Sequence, residues 1–290
     1  ARRLTPSDIY SDEGFGSTST NPCGEIILSP YDSCRLMVVN LLSFVKSPFT
    51  KEAYFDYGEF SQIVQKAQRL MDDMIDLEID QIEKILHKIE KDPEPDAVKQ
   101  IEKDLWENIR EQAILGRRTG LGVTAVGDTI AALNMTYGSN KSISEVEKIY
   151  KHLTVSAYKS SSILAMERGA FDAHDYDREE GHEYLERIWE ADPEIRDLTQ
   201  RYGRRNIALT TTAPAGSVSV LTQTTSGIEP AYLLKYTRRK KINSDAEPEA
   251  RVDFVDDIGD SWQEYDVYHH GYRQWMDVTT KENPEQSPYW

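Results

Sequence analysis

Ser17-Thr18-Ser19-Thr20-Asn21-Pro22-Cys23-Gly24-Glu25-Ile26-Ile27-Leu28 is the stretch on which the reading of this chain turns. Pro22 and Gly24 flank a cysteine, a pairing that favours a tight loop presenting the thiol. Asn21 can donate and accept hydrogen bonds, and Glu25 can act as a base. Local composition alone reads first as an ordinary Asn-Pro turn with an idle cysteine, because short motifs recur by chance. Beyond it, Ile26-Ile27-Leu28 reads as a short buried strand, Ser29-Pro30-Tyr31-Asp32 as a turn and residues 34–45 as a second apolar segment. Cys34 either lies near the loop or is a small buried hydrophobe.

The whole chain has 290 residues, 39% of them hydrophobic and 10% aromatic, which permits a proper core and excludes wholesale disorder. Its 34 Lys and Arg against 50 Asp and Glu leave a net charge of −16, arguing against general binding to nucleic acid or an anionic membrane. A small anionic substrate is still admissible, because a few local N–H groups and hydroxyls hold a phosphate whatever the global charge. The two cysteines, Cys23 and Cys34, are too few for a disulfide scaffold but enough for redox chemistry. The most apolar stretch, Leu36 to Val45, is too short to span a bilayer, and the start has no targeting pattern, so a cytoplasmic protein is the default expectation.

Residues 1–24 read as loop. A helical hairpin is expected over about 59–116. Its first helix carries Ile63, Ala67, Leu70, Met74 and Leu77, continued by Ile75, Ile79, Ile82 and Ile89; Asp92-Pro93-Glu94-Pro95 breaks it; its second carries Val98, Ile101, Leu105 and Ile109. The apolar stripe is too short for sustained heptads, so the hairpin reads as scaffold. Residues 120–135, rich in small side chains, read as a closely packed helix. Capping boxes at Ser142 and Ser144 start another that runs to about Arg168, with Gly169 as its stop. Short helices follow over 182–202 and a strand over 207–212, and the acidic, aromatic tail from 242 has no clear period.

Thr210 to Ser219 is a strand running into a Gly turn with hydroxyls at Ser217 and Ser219. A helix beginning there would offer free N–H groups to a phosphate; a simple capped turn explains the residues as well. Gly116-Arg-Arg-Thr-Gly-Leu-Gly122 only superficially resembles a dinucleotide loop and reads as tight helix packing. The acidic runs at 172–177 and 253–260 match no metal-ligand spacing and read as solvated loops, and Arg238-Arg-Lys-Lys241 reads as an exposed basic edge.

Taken in order, Ser-Thr-Asn-Pro-Cys-Gly-Glu, Cys34, Gly116-Arg-Arg-Thr-Gly-Leu-Gly-Val, Ala213-Pro-Ala-Gly-Ser-Val-Ser and Thr225-Ser-Gly-Ile-Glu-Pro230 resemble the catalytic subunit of ribonucleotide reductase. Each motif alone is weak; the ordered set, spread over residues 17–240, is specific. The Asn-Pro-Cys-Gly-Glu form and the Ser-Pro-Tyr-Trp ending are most similar to the adenosylcobalamin-dependent class, with the large subunit of the diiron-dependent class as the nearest competitor. The resemblance implies an α/β fold, part of a ten-stranded α/β barrel with a central finger loop, of which residues 1–290 would be the central part.

In that family pattern Cys23 carries the thiyl radical, Glu25 takes the 3′-hydroxyl proton, Asn21 hydrogen-bonds the sugar hydroxyls and Cys34 is one half of the reducing cysteine pair. Ser19 and Thr20, together with the turn Pro214, Ala215, Gly216, Ser217, Val218 and Ser219, would bind the ribonucleotide substrate. The implied cofactor is adenosylcobalamin, and no metal-ligating residue is assigned to this chain. The implied reductant is an external dithiol of the thioredoxin-like kind. Three departures stand out. Ala215 replaces the usual Thr, Arg35-Leu-Met-Val-Val-Asn40 departs from the common Asn-Leu-Gly-Ser form, and no cysteine precedes Cys23 to pair with Cys34. The reading therefore expects a chain that needs complementary reductase segments to complete reduction; a non-catalytic remnant that binds reductase chains is the alternative.

Overall fold

A crossover between two parallel strands organises the molecule. The computed structural model describes residues 5–33, 35–243 and 249–290. An antiparallel hairpin, β1 (Ser19–Thr20) and β2 (Ile27–Leu28), precedes β3 (Leu36–Asn40) and the small pair β4 (Val45–Lys46) and β5 (Tyr54–Phe55). Two long helices follow, α1 (Tyr57–Lys91) and α2 (Asp96–Gly116). Asp56 caps the first by accepting from the Glu59 N–H at 2.9 Å, and the Pro93/Pro95 segment separates the two. The chain then returns as β6 (Gly120–Thr124), parallel to β3 with Leu36 opposite Gly120 and Asn40 opposite Thr124.

Residues 207–211 run along the other edge of β6. Thr119 N–H donates to Ala208 O (2.9 Å), Leu121 N–H to Leu209 O (2.7 Å), and Thr211 N–H to Leu121 O (2.9 Å). Three extended segments thus lie side by side in parallel, with helices in the crossovers, which is an α/β arrangement. Among the described residues these strands do not close into a barrel.

Between β6 and that third segment lie α3 (Val126–Ala132), α4 (Asn140–Arg168), α5 (Tyr176–Glu179), α6 (Glu183–Ala191) and α7 (Pro193–Tyr202). After it come α8 (Gly216–Thr222), a sheet of order β7-β9-β8 made from β7 (Lys235–Lys241), β8 (Phe254–Val255) and β9 (Ser261–Tyr268), and α9 (His270–Thr279). The core joins Val39, Phe44, Phe60, Val64, Met71, Leu121, Val123, Ile130, Leu153, Leu185 and Trp275, so strands, hairpin, α4 and α9 share one apolar interior. No helix among the described residues is long and apolar enough to cross a membrane.

Several local expectations need correction. Residues 120–135 are not one helix. Gly120–Thr124 is a strand with every residue buried, and Ala125, in the left-handed region at φ 69°, separates it from α3. A strand covered on both faces loses the alternation that announces strands. Its glycines serve strand packing: a Cβ at Gly122 would fall 2.6 Å from Thr211 O, and one at Gly120 would fall 2.9 Å from Arg35 O.

The apolar face of α1 is also shifted. Ala67, Ile75, Ile82 and Ile89 are buried, but Leu70 is 56% and Leu77 67% exposed, while Gln68 and Asp72 are fully buried. The cap of α4 is Ser139, whose Oγ accepts from Ser142 N–H at 3.2 Å, and not Ser142 or Ser144. The tail beyond 242 is not featureless: Asp253 accepts from the Glu264 N–H (2.7 Å), and Asp256 accepts from Trp262 Nε1 (2.8 Å) and the Asp260 N–H (2.9 Å). Those carboxylates shape the β8–β9 turn. The basic run lies in β7, where Arg239 pairs with Glu264 of β9 and Lys241 with Asp260 just before that strand.

Asp72 is the polar centre of the packing. Its carboxylate accepts from Arg117 Nε (2.8 Å), Asn206 Nδ2 (3.1 Å), Arg168 Nη1 (3.1 Å) and Arg205 Nε (3.3 Å), linking α1, the α2–β6 turn, α4 and the third strand segment. Burial works against its ionised form, but the contacts with Arg117 and Arg205 outweigh that and hold its carboxyl below the ordinary range. Replacing Asp72 with Ala leaves buried guanidinium groups uncompensated. We expect a loss of about 3–5 kcal/mol in urea unfolding; a loss under about 1 kcal/mol would contradict this role.

A second buried carboxylate, Glu179, accepts from Tyr10 OH (2.7 Å) and Arg204 Nε (2.7 Å), while Arg204 Nη1 donates to Ile207 O at 2.7 Å. Burial pushes the Glu179 carboxyl up, but the charge of Arg204, helped by His174, prevails and brings it from 4.5 down to about 2. A carboxyl depressed by folding stabilises the fold above its unfolded pKa and loses that contribution as pH falls toward the folded value. Stability should therefore drop between about pH 4.5 and pH 2, by up to about 3 kcal/mol from this residue. Denaturation midpoints of Glu179→Gln should fall less steeply than wild type over that range.

Candidate active site

The β1–β2 hairpin presents the cysteine at its tip. Asn21 organises the turn: its carbonyl accepts from Gly24 N–H (3.0 Å), its N–H donates to Ile26 O (3.1 Å), and its Oδ1 accepts from Ile26 N–H (3.1 Å). Gly24 occupies φ +81°, a conformation that favours glycine, which explains the residue after the cysteine. Cys23 is exposed and carries a free thiol. Ser19 and Thr20 are exposed on β1. Upstream, Ser17 N–H donates to Asp8 Oδ1 (2.9 Å), and Phe15 packs so tightly on Gly116 that a Cβ there would lie 2.4 Å from its ring.

The hairpin is fastened to the third strand segment at Glu25. Thr211 Oγ1 donates to Glu25 O at 2.9 Å. A cavity of 240 Å³ is lined by Glu25, Ile26, Arg118, Thr119, Tyr158, Leu209 and Thr210, among others. The Glu25 Oε2 atom is buried and without a hydrogen-bond partner. Thr211 and Arg118 lie in motifs singled out by sequence but were given no site role there. The signal was an Arg-Arg pair set between glycines in an acidic chain, both arginines here buried.

Three residues beyond Thr211, the turn Pro214–Ser219 leads into α8, whose first residue is Gly216. Ser219 is buried and its Oγ donates to Gly216 O at 2.7 Å, so its hydroxyl closes the turn; Pro214, Gly216, Ser217 and Val218 are exposed and Ala215 is buried. Next along the chain, Thr225 N–H donates to the buried Asp128 carboxylate at 2.7 Å, and Asp128 N–H donates back to Thr225 Oγ1 at 3.2 Å. The structure thus brings Glu25 of the hairpin against the strand that ends in the Gly turn. Cys34 lies outside the described residues. Asp32, two positions before it, is held by Arg118 Nε at 2.5 Å.

The chain is 28% identical over 220 residues to a vitamin B12-dependent ribonucleoside-diphosphate reductase of Mycobacterium tuberculosis, covering 76% of this chain and 25% of that protein. It is 30% identical over 220 residues to the protein of the same name from Thermoplasma acidophilum, with 76% and 23% covered. A ribonucleoside-diphosphate reductase subunit alpha of Chlamydia pneumoniae is 24% identical over 252 residues, with 78% and 21% covered. The chain therefore spans about a quarter of the length of the curated relatives it matches. Among solved structures, the Actinobacillus ureae class Id ribonucleotide reductase alpha subunit shares the fold at a TM-score of 0.50 and 22% identity, covering 77% of this chain and 34% of that one. The family model for the ribonucleotide reductase barrel domain matches residues 17–258. Hairpin, parallel strands and Gly turn all fall inside that match, and the chain belongs to the ribonucleotide reductase barrel-domain family.

Proposed function

We propose that this chain is the active-site-bearing part of a ribonucleotide reductase catalytic subunit and takes part in converting ribonucleotides to deoxyribonucleotides by thiyl-radical chemistry. Its strands would belong to a ten-stranded α/β barrel, with the β1–β2 hairpin as the central finger and residues 1–290 as the middle of the domain. The observation that carries the reading is the Cys23 thiol, exposed at a hairpin tip and tied through Glu25 to the strand entering the Gly turn. Holding a thiol, a base and an anion-binding turn on one rigid frame is what oriented attack on a bound sugar requires.

In this reading Cys23, as the thiyl radical, abstracts the ribose 3′ hydrogen. Glu25 takes the 3′-hydroxyl proton, Asn21 hydrogen-bonds the sugar hydroxyls, and Ser19, Thr20 and the 214–219 turn hold the nucleotide. The 2′-hydroxyl leaves as water. The two electrons this consumes come from Cys34 and a partner cysteine, which end as a disulfide and are restored by an external, thioredoxin-like dithiol. That partner cysteine would come from complementary reductase segments. The setting would be cytoplasmic.

The names of the Mycobacterium and Thermoplasma relatives support adenosylcobalamin as the radical source. The residues present fit such a group in one respect: the Cys23 thiol is open to approach. Among the described residues no three His, Cys, Asp or Glu side chains converge on a metal position.

The test is reconstitution with the missing catalytic-subunit segments, a ribonucleotide, a dithiol and adenosylcobalamin. Deoxyribonucleotide should form, and Cys23→Ala should reduce it to background. Turnover that survives Cys23→Ala would sink the radical role. Failure of every reconstitution, with the chain still binding those segments, would favour the non-catalytic remnant. Omitting adenosylcobalamin should abolish product; product that instead depends on a diiron partner subunit would move the chain to the other class.

A further inference from the structure

One buried arginine on the wall of the cavity that holds the proposed base has a hydrogen-bonding capacity that the fold does not use. Arg118 is 3% exposed. Its Nε donates to Asp32 Oδ2 at 2.5 Å, and its carbonyl accepts from Arg35 Nη1 at 3.0 Å. Its Nη2 is buried with no partner. Glu25, on the wall of the same 240 Å³ cavity, has a buried Oε2 in the same condition. One orphan is a charged donor and the other an acceptor. Leaving either unmet in the interior is costly, and these two line one cavity.

A group that satisfies both must accept from a guanidinium and donate to a carboxylate. A hydroxyl does this with a single oxygen. Thr119 and Thr210 on the cavity wall add hydroxyls, but Thr119 Oγ1 is already engaged with Gln68 and Ala208 O. We propose that Arg118 is a substrate-contacting residue, whose Nη2 donates to the same ribose 3′-hydroxyl oxygen whose proton passes to Glu25. This rests on the reductase reading and adds to it. A guanidinium on that oxygen favours its deprotonated form and lets Glu25 act as base under milder conditions. The Asp32 pair restrains the guanidinium plane.

The test compares binding of a ribonucleotide with binding of its 3′-deoxy analogue, by calorimetry, to the reductase assembled from this chain and the remaining catalytic-subunit segments. Wild type should prefer the ribonucleotide. Arg118→Gln should lose about tenfold or more in affinity for the ribonucleotide and little for the 3′-deoxy analogue, the mark of one charge-assisted hydrogen bond. Asp32→Asn keeps the donor but loosens the guanidinium, and should weaken the preference without abolishing it. Equal losses for both ligands in Arg118→Gln mean that the arginine is purely structural and overturn the proposal. No preference in wild type means the cavity holds only water there, and overturns it too. A wild-type assembly that binds neither nucleotide overturns the reductase reading itself, and this proposal with it.

Discussion

The buried charge of Asp72 is the constraint on which the rest of the structure depends. It sits in the first long helix, where solvent is absent, and it is neutralised by arginines from two other places in the chain as well as by Arg117. An ion in such a position fixes geometry more than it adds stability, because any rearrangement strands a charge. Arg117 can reach Asp72 only if α2 ends where it does, with Arg117 itself in the left-handed region at φ 47°. That ending starts β6 three residues later. The Asn206 side chain, held by Asp72, Gln68 and Ser161, sets the entry of the third strand segment. Helix hairpin and strand register are thereby specified by one carboxylate.

Glu179 works in the same way through Arg204, the residue just before the Asp72 partners Arg205 and Asn206. Through Tyr10 it anchors the segment ahead of the cysteine hairpin, and through Arg204 it anchors the carbonyls at the start of the strand that leads to the Gly turn. The two parts of the candidate site are thus braced from behind by buried ion pairs rather than by loop-to-loop contacts alone. Thr211, hydrogen-bonded to Glu25 O, is the place where they meet.

Much of this was legible in sequence and some was not, for identifiable reasons. The order of motifs pointed to the family, and the Pro93/Pro95 break marked the end of α1, because proline acts locally. The strand at Gly120–Thr124 was read as helix because a strand buried on both faces shows no alternation and its glycines carry little strand preference. The buried side of α1 was misjudged because Gln68 and Asp72 occupy it; a periodicity built on apolar residues cannot count a carboxylate as core. Arg118 was passed over for a similar reason: a buried arginine is visible only once its partner, Asp32, is placed beside it.

The parallel pairing of β3 with β6 has a consequence for how the molecule is made. Arg35 and Arg118, bonded across that pairing, are 83 positions apart in the chain. Helix formation within the intervening hairpin is local and fast, whereas a contact of that span must wait for the loop to close. The cysteine hairpin is itself local, but the Glu25 cavity needs contacts such as Thr211 to Glu25, 186 positions apart, and closes only when they form. The entropic penalty of loop closure grows only slowly with length. The far tip around Pro93 and Pro95 can accordingly be shortened or extended over evolution, or in the laboratory, while the strand ends that carry the chemistry stay in register.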